Sequence, residues 1–347
     1  MGLSRSACLV AVVCVVGCGS SGADDLFSGG NSGQSGTSGS FGSGGRAGSS
    51  GFSGTSGTGG GTGGGSFGAG GVGGAGATGG TGGSSGNCNF DGAWAAFVKI
   101  PVTWPGSGVL EPGSGEIHVW LLTKRTLQGF ESADTGRLCG VQLPPFQGTA
   151  IAGGEKYGIR FLADAFNNMP EFTFASNLHG LEPGATFSTK PAAIMFGMSM
   201  PNPQTDPWPP LAEVQALAED HDNDGRPGLT GQTERLPGYF GPPVDLAKVG
   251  RAKELSLASR TVTQLIGAIK TCDELDGQVA INQIAGEPAI DSRIIGCVLE
   301  SGATCDPTQV SFADSNGPNL RPSGGSTLVQ RRVADTTNCA EVRGMFQ

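Results

Sequence analysis

Between Gly19 and Gly86 the chain places 31 of its 63 glycines in 68 residues, with Ser, Thr and Ala filling most of the rest. A tract of that composition cannot bury enough apolar surface to offset the entropy of ordering it. Residues 18–87 are therefore expected to be a disordered linker, and a folded domain is confined to residues 88–347. As a Gly-rich coil the tract would span about 45 Å end to end, and on the order of 230 Å fully extended. Phe27, Phe41, Phe52 and Phe67 interrupt it singly, and scattered apolar residues need no partner. It carries no strict Gly-X-Y period, which excludes collagen.

What precedes the tract reads as an address. Arg5 gives a short positive start, and Ala7 to Val16 is uncharged. That run is too short for a membrane-spanning helix, which needs about 20 residues, but it suits the apolar core of a secretory signal over residues 1–17. Val15-Val16-Gly17-Cys18 resembles the lipobox of bacterial lipoproteins, with Val15 in place of the commoner Leu. The resemblance implies cleavage after Gly17 and acylation of Cys18 on its sulfur and its new amine. Several acyl chains hold firmly where one holds marginally, at about 0.8 kcal/mol per buried methylene. Gly19 follows the Cys instead of Asp, which in such lipoproteins favours the outer membrane or cell surface. The expected partner is thus the membrane, through the lipid on Cys18, and the expected form is a monomer. The alternative is an ordinary signal peptide whose cleavage site contains a cysteine.

From Asn87 onward the chain holds 19 basic and 28 acidic residues. Nucleic-acid binders gain most of their affinity by neutralising phosphates, and no basic cluster here exceeds Lys124-Arg125 or Arg331-Arg332. Nucleic acid is excluded as a partner, as is charge-driven docking on an anionic membrane.

Six cysteines remain after Cys18: Cys88, Cys139, Cys272, Cys297, Cys305 and Cys339. An even number in an exported domain reads as a disulfide framework, and the absence of a C-x-x-C pair argues against zinc or redox motifs. Cys297 and Cys305 flank a turn-like Glu300-Ser301-Gly302-Ala303 and are expected to bridge one hairpin. Cys88 would then clip Cys139, and Cys272 would tie Cys339.

The domain reads as mainly β, an antiparallel barrel or sandwich with few short helices. Strands are expected at Trp94–Trp104, Glu116–Thr126, Tyr157–Leu162, Ala193–Met198, Leu255–Thr271, Gly277–Ile284, Ser292–Leu299, Gln309–Phe312 and Ser326–Val333, with Gly and Pro in nearly every gap. Leu211, Val214 and Leu217 mark a short helix, and Cys339–Phe346 a closing one capped by Thr336 or Thr337. Gly92-Ala93-Trp94 resembles the G-x-W element that opens lipocalins. The resemblance implies an eight-stranded barrel with Trp94 at its closed end, under an Arg from near the chain's end, Arg331 or Arg332.

Asp220-His221-Asp222-Asn223-Asp224-Gly225 alternates three carboxylates and ends on a glycine that permits a sharp turn. Such a loop can converge on one hard cation, with the next carbonyl, that of Arg226, as a further ligand. It resembles the calcium loops of EF-hands, dockerins and thrombospondin type 3 repeats. Position twelve is Gly231 where EF-hands place a bidentate Glu, so the last ligand must be Glu234, Glu219 or water. The expected cofactor is structural calcium held weakly, near the 10⁻⁴–10⁻³ M range of extracellular modules; the alternative is a solvated acidic turn. The stretch Asp220–Thr230 also resembles loops of uncharacterised deltaproteobacterial surface lipoproteins, which implies no activity.

Catalytic patterns are poor. The three histidines form no H-E-x-x-H pair, Ser199 lacks a full nucleophile elbow, and Asp273, Glu274 and Asp276 read as a solvated turn. The expected function is a non-catalytic binding domain, for a small ligand or a surface polymer, displayed on a flexible lipid-anchored tether. The alternative is a secreted hydrolase acting on envelope or extracellular polymers.

Overall fold

A computed structural model of the chain describes residues 87–149, 154–235, 251–282, 284, 287 and 289–346. The signal segment, Cys18 and the tether lie outside them. The described residues belong to one compact unit, Gly79–Gln347.

In chain order the first strands are β1 (Gly92–Trp104), β2 (Gly113–Gln128), β3 (Glu131–Gln142), β4 (Phe146–Gln147), β5 (Lys156–Phe161), β6 (Glu171–Leu178), β7 (Thr186–Thr189) and β8 (Ala192–Phe196). Helix α1 (Leu211–Leu217) separates these from β9 (Leu229–Arg235), β10 (Ala252–Thr271), β11 (Glu274–Ile281) and β12 (Ile290–Leu299). Helix α2 (Pro307–Ser315), β13 (Arg321–Pro322), β14 (Thr327–Val333) and helix α3 (Cys339–Met345) complete the chain.

The fold is mainly β, as expected, and its strand pairs are antiparallel. Hydrogen bonding links β1, β2, β3, β6, β7, β10, β11 and β14 in that order, and β14 returns to β1. Eight strands thus close a ring, an up-and-down barrel in which ring order follows chain order, and closure removes the exposed edges that an open sheet leaves. β1 shows why its sequence takes this place: Trp94, Ala96, Val98, Ile100, Val102 and Trp104 are buried on one face, while Lys99 and Thr103 point to solvent. Across the β10–β11 seam Gly267 faces Gly277, and a Cβ on Gly267 would stand 2.2 Å from the Asp276 carbonyl oxygen. Only glycine permits that approach.

The two ends of the barrel differ. At one end the turns are short: residues 129–130, 179–185 and 272–273. At the other the chain makes long excursions between β3 and β6, β7 and β10, and β11 and β14. These carry the remaining elements. β10 runs past the ring, and its first half pairs with β12 on one edge and β9 on the other; β9 then pairs with β5, and β5 with β4.

Three local expectations are corrected. Gln309–Phe312 is not a strand but lies within α2, because Asp306 accepts the Gln309 N–H, the Gln309 side chain returns to the Asp306 N–H, and Pro307 supplies the first helical φ. The cap of α3 is Asn338, reciprocated by Glu341, not Thr336 or Thr337. The cysteines pair as Cys88–Cys272, Cys139–Cys339 and Cys297–Cys305. The short pair is the expected one. The two long pairs exchange partners because Cys88 and the Cys272 turn both lie at the short-turn end, whereas Cys139 faces outward from β3, where α3 packs with Cys339 and Val342 against Ala95.

Candidate functional site

At the short-turn end, Trp94 is fully buried and donates Nε1–H to the Phe90 carbonyl at 3.1 Å. Of the two candidate arginines, Arg332 covers it, with its guanidinium 4.8 Å from the ring and bonded to Asp273 and to the carbonyls of Asn89 and Asp91. Arg331 instead lies outside, 5.4 Å from the Phe346 ring. A second guanidinium, Arg125, stands 5.6 Å from Trp94 and forms a buried pair with Asp134, which also accepts from Ser176 Oγ at 2.6 Å. This end is filled by side chains.

The opposite end is hollow. A cavity of about 400 Å³ is walled by Ile100, Ile117 and Leu138 from the barrel, Phe161 and Phe196 from the excursions, and Leu320. That volume falls within the range of small-ligand sites, which are concave, mostly apolar and carry a few placed polar groups. Its polar lining includes Asp291, Arg293, Asp314 and Trp208. Asp291 pairs with Arg260 at 2.6 Å and Asp314 with Arg293 at 3.2 Å. Burial pushes both carboxyl groups above the usual range, against the opposing pull of their arginines and, for Asp314, of the Ile294 N–H. A smaller cavity of about 250 Å³ lies beside β12 and α2. There burial, and secondarily Glu155, pushes the Tyr157 hydroxyl up to about 12.

The acidic loop folds on itself. Asp220, Asp222 and Asp224 each bring a carboxylate oxygen within 4.8 Å of the others. Asp220 accepts the N–H groups of Asp224 and Gly225, while Asp222 and Asp224 accept the N–H and hydroxyl of Thr230. Asn223 and Gly225 take positive φ to make the turn. Burial raises the Asp222 carboxyl, and the neighbouring Asp224 charge adds to it; in Asp220 the opposing hydrogen bonds, led by the Gly225 N–H, win over burial and lower it. Neither carboxylate considered as a last ligand is turned to the triad: Glu219 bonds His221 and Ser199, and Glu234 pairs with Arg160. The Arg226 side chain bridges Asp224 at 3.5 Å and Glu254 at 2.7 Å, and so supplies part of the positive charge the loop requires. His221 is buried; its Nδ1 accepts the Gly197 N–H, which places the ring proton on Nε2, toward Glu219.

The remaining carboxylates read as structural. Asp273 pairs with Arg332, and Glu274 and Asp276 with Lys270, all around one hairpin. The groups that sequence reasoning missed are Trp208, Arg260 and Asp291, which no motif marks because a 20-residue strand with a mixed face carries Arg260 into cover. Comparison with protein families, with characterised proteins and with solved structures finds no match to this chain. Among the described residues no helix is long and apolar enough to cross a membrane.

Proposed function

We propose that the chain is an envelope-anchored binding protein whose barrel holds a small, mainly apolar ligand at its open end. The cavity carries this reading: one end of the ring is packed solid around Trp94, while the other keeps a hollow with apolar walls. Asp291 and Asp314 at that hollow are tied to Arg260 and Arg293, an arrangement suited to fixing a ligand rather than to moving protons. The lipid on Cys18 would hold the domain at the membrane, and the Gly/Ser tract would let it sample the space around that anchor. Calcium at Asp220, Asp222 and Asp224, with the Arg226 carbonyl, would brace the excursion between β8 and β9 without taking part in binding; the charge complementarity of the loop supports it.

The test is binding of a neutral apolar fluorophore, N-phenyl-1-naphthylamine, to the full chain bearing Cys18→Ser to keep it in solution. Val119→Phe, which adds bulk to the cavity wall, should abolish the fluorescence gain without moving the melting midpoint by more than about 4 °C, the equivalent of roughly 1–2 kcal/mol. Ile266→Phe, on the exposed outer face, should leave binding intact. Equal binding by wild type and Val119→Phe would remove the cavity as the site.

A further inference from the structure

The cavity has a polar spot whose chemistry is more specific than its walls. Arg260, Asp291 and Trp208 are 0%, 4% and 9% exposed. Register places Arg260 on β10 directly opposite Asp291 on β12, and the guanidinium binds one carboxylate oxygen, Oδ2, through Nε at 2.8 Å and Nη2 at 2.6 Å. Its other arm, Nη1, donates to the carbonyls of Asp206 and Pro203, and its plane lies 5.3 Å from the Trp208 ring. Besides Arg260 Nη2, which meets Oδ2 as an ion pair without a hydrogen bond, two atoms are left over. Asp291 Oδ1 is a buried acceptor and Trp208 Nε1 a buried donor, and neither has a hydrogen-bond partner among the described residues.

Buried polar groups are nearly always paired, and leaving one unpaired costs about 1–3 kcal/mol. Here an acceptor and a donor are orphaned on two residues that both contact one guanidinium, and both residues line the same cavity. What satisfies both must accept from one and donate to the other. It must also be uncharged. Arg260 already balances Asp291, so an anionic head would meet Oδ1 with repulsion, and an ammonium would have to share a carboxylate held at 2.6 Å by its own cation.

We propose that the cavity ligand is a small, mainly apolar molecule with one neutral head that both donates and accepts, a hydroxyl or a primary carboxamide. The head donates to Asp291 Oδ1 and accepts from Trp208 Nε1. The assignment rests on the cavity reading above and narrows its ligand class, separating alcohols and amides from fatty acids and amines of equal chain length.

The experiment is displacement of N-phenyl-1-naphthylamine from the same Cys18→Ser chain by four probes of one chain length: 1-octanol, octanamide, octanoate and octylammonium. Octanol and octanamide should displace it at concentrations about tenfold lower than the two ions, the worth of one to two hydrogen bonds. Asp291→Ala would strip a buried arginine of its partner and risk unfolding, so the variant of choice is Trp208→Phe, which keeps the ring beneath Arg260 and removes only the donor. It should cut the advantage of the neutral heads about three- to tenfold, read as the ratio of neutral to ionic displacement within that variant so that a change in the fluorophore's own affinity cancels. If all four probes compete alike, or if Trp208→Phe leaves their order untouched, the head-group assignment is overturned and ordered water fills the spot, with the cavity reading intact. If the fluorophore does not bind at all, it is the cavity reading that falls.

Discussion

Removing the disulfides one at a time should produce unequal losses, and the inequality follows from the pairing. A cross-link stabilises mainly by shortening the unfolded chain's free loop, by roughly 2.1 + 1.5R ln n cal/mol/K for a loop of n residues. For sequence separations of 184 and 200 residues that amounts to about 5 kcal/mol each. For the separation of 8 residues between Cys297 and Cys305 it is about 2.5 kcal/mol. Packing does little to disturb this order, since at least one cysteine of every pair is buried. The perturbation is paired Cys→Ala replacement, and the assay is the melting midpoint without reductant. At roughly 2–4 °C per kcal/mol, loss of Cys88–Cys272 or Cys139–Cys339 should lower the midpoint by about 10–20 °C, and loss of Cys297–Cys305 by about 5–10 °C. The two long loops interlock, because Cys139 lies inside the loop closed by Cys88 and Cys272. Removing both should therefore cost less than twice one. A short pair as costly as a long one would refute the loop reasoning, and a peptide joining Cys88 to Cys139 in a non-reducing digest would refute the pairing.

Calcium at ten times its dissociation constant should add about 1.4 kcal/mol of stability, a midpoint rise of about 3–5 °C; the rise should vanish in Asp222→Ala and grow in Arg226→Gln, and identical melting of wild type and Asp222→Ala with and without calcium would leave the loop a mere turn. Asp314 is a buried acid whose folded pKa is raised, so its ionisation costs stability and that cost appears as pH rises through the interval above the unfolded value. Asp314→Asn keeps an acceptor for the Ile294 N–H, and its midpoint should gain on wild type as pH rises from about the unfolded carboxyl value and then level off; a flat or falling difference would contradict the sign. Cys18→Ala should move the protein from the membrane fraction to the soluble one, and a variant as membrane-bound as wild type would remove the lipid anchor.

The parts of the barrel that the sequence revealed are those whose inward face is apolar. β1 and β14 show the alternation plainly, and so does the ring half of β10, where Leu265 and Ile269 point inward. β3 escaped notice because the inward residues of its first half are Ser132, Asp134 and Gly136, and Leu138 is the first apolar one to follow them. That polar face makes sense only once Arg125 arrives from β2 to pair with Asp134, and the alternation of neither strand alone shows the pair. β6 and β7 escaped for a similar reason: Ser176 and Thr189 are buried as partners of Asp134 and of the Leu265 N–H, not as apolar packing. The disulfides failed the same way. Sequence spacing favoured Cys88 with its nearest neighbour, whereas closing the ring brings the chain's first strand to its last and places Cys88 beside the β10–β11 turn.

The acidic loop was legible because its three carboxylates are local, and Trp94 because a three-residue element carried it. The polar spot in the cavity was invisible for the opposite reason. Arg260 and Asp291 are 31 residues apart, and each alone reads as an ordinary surface charge. Only the register of β10 on β12, which carries both under Trp208, turns them into a buried pair with one oxygen to spare. Local chemistry writes itself into a motif, and here it marks a turn on which three carboxylates converge. The polar spot in the barrel is assembled from residues that share an end of the ring and nothing in sequence, so its chemistry, and with it the proposed ligand class, is carried by the register rather than by any stretch of residues.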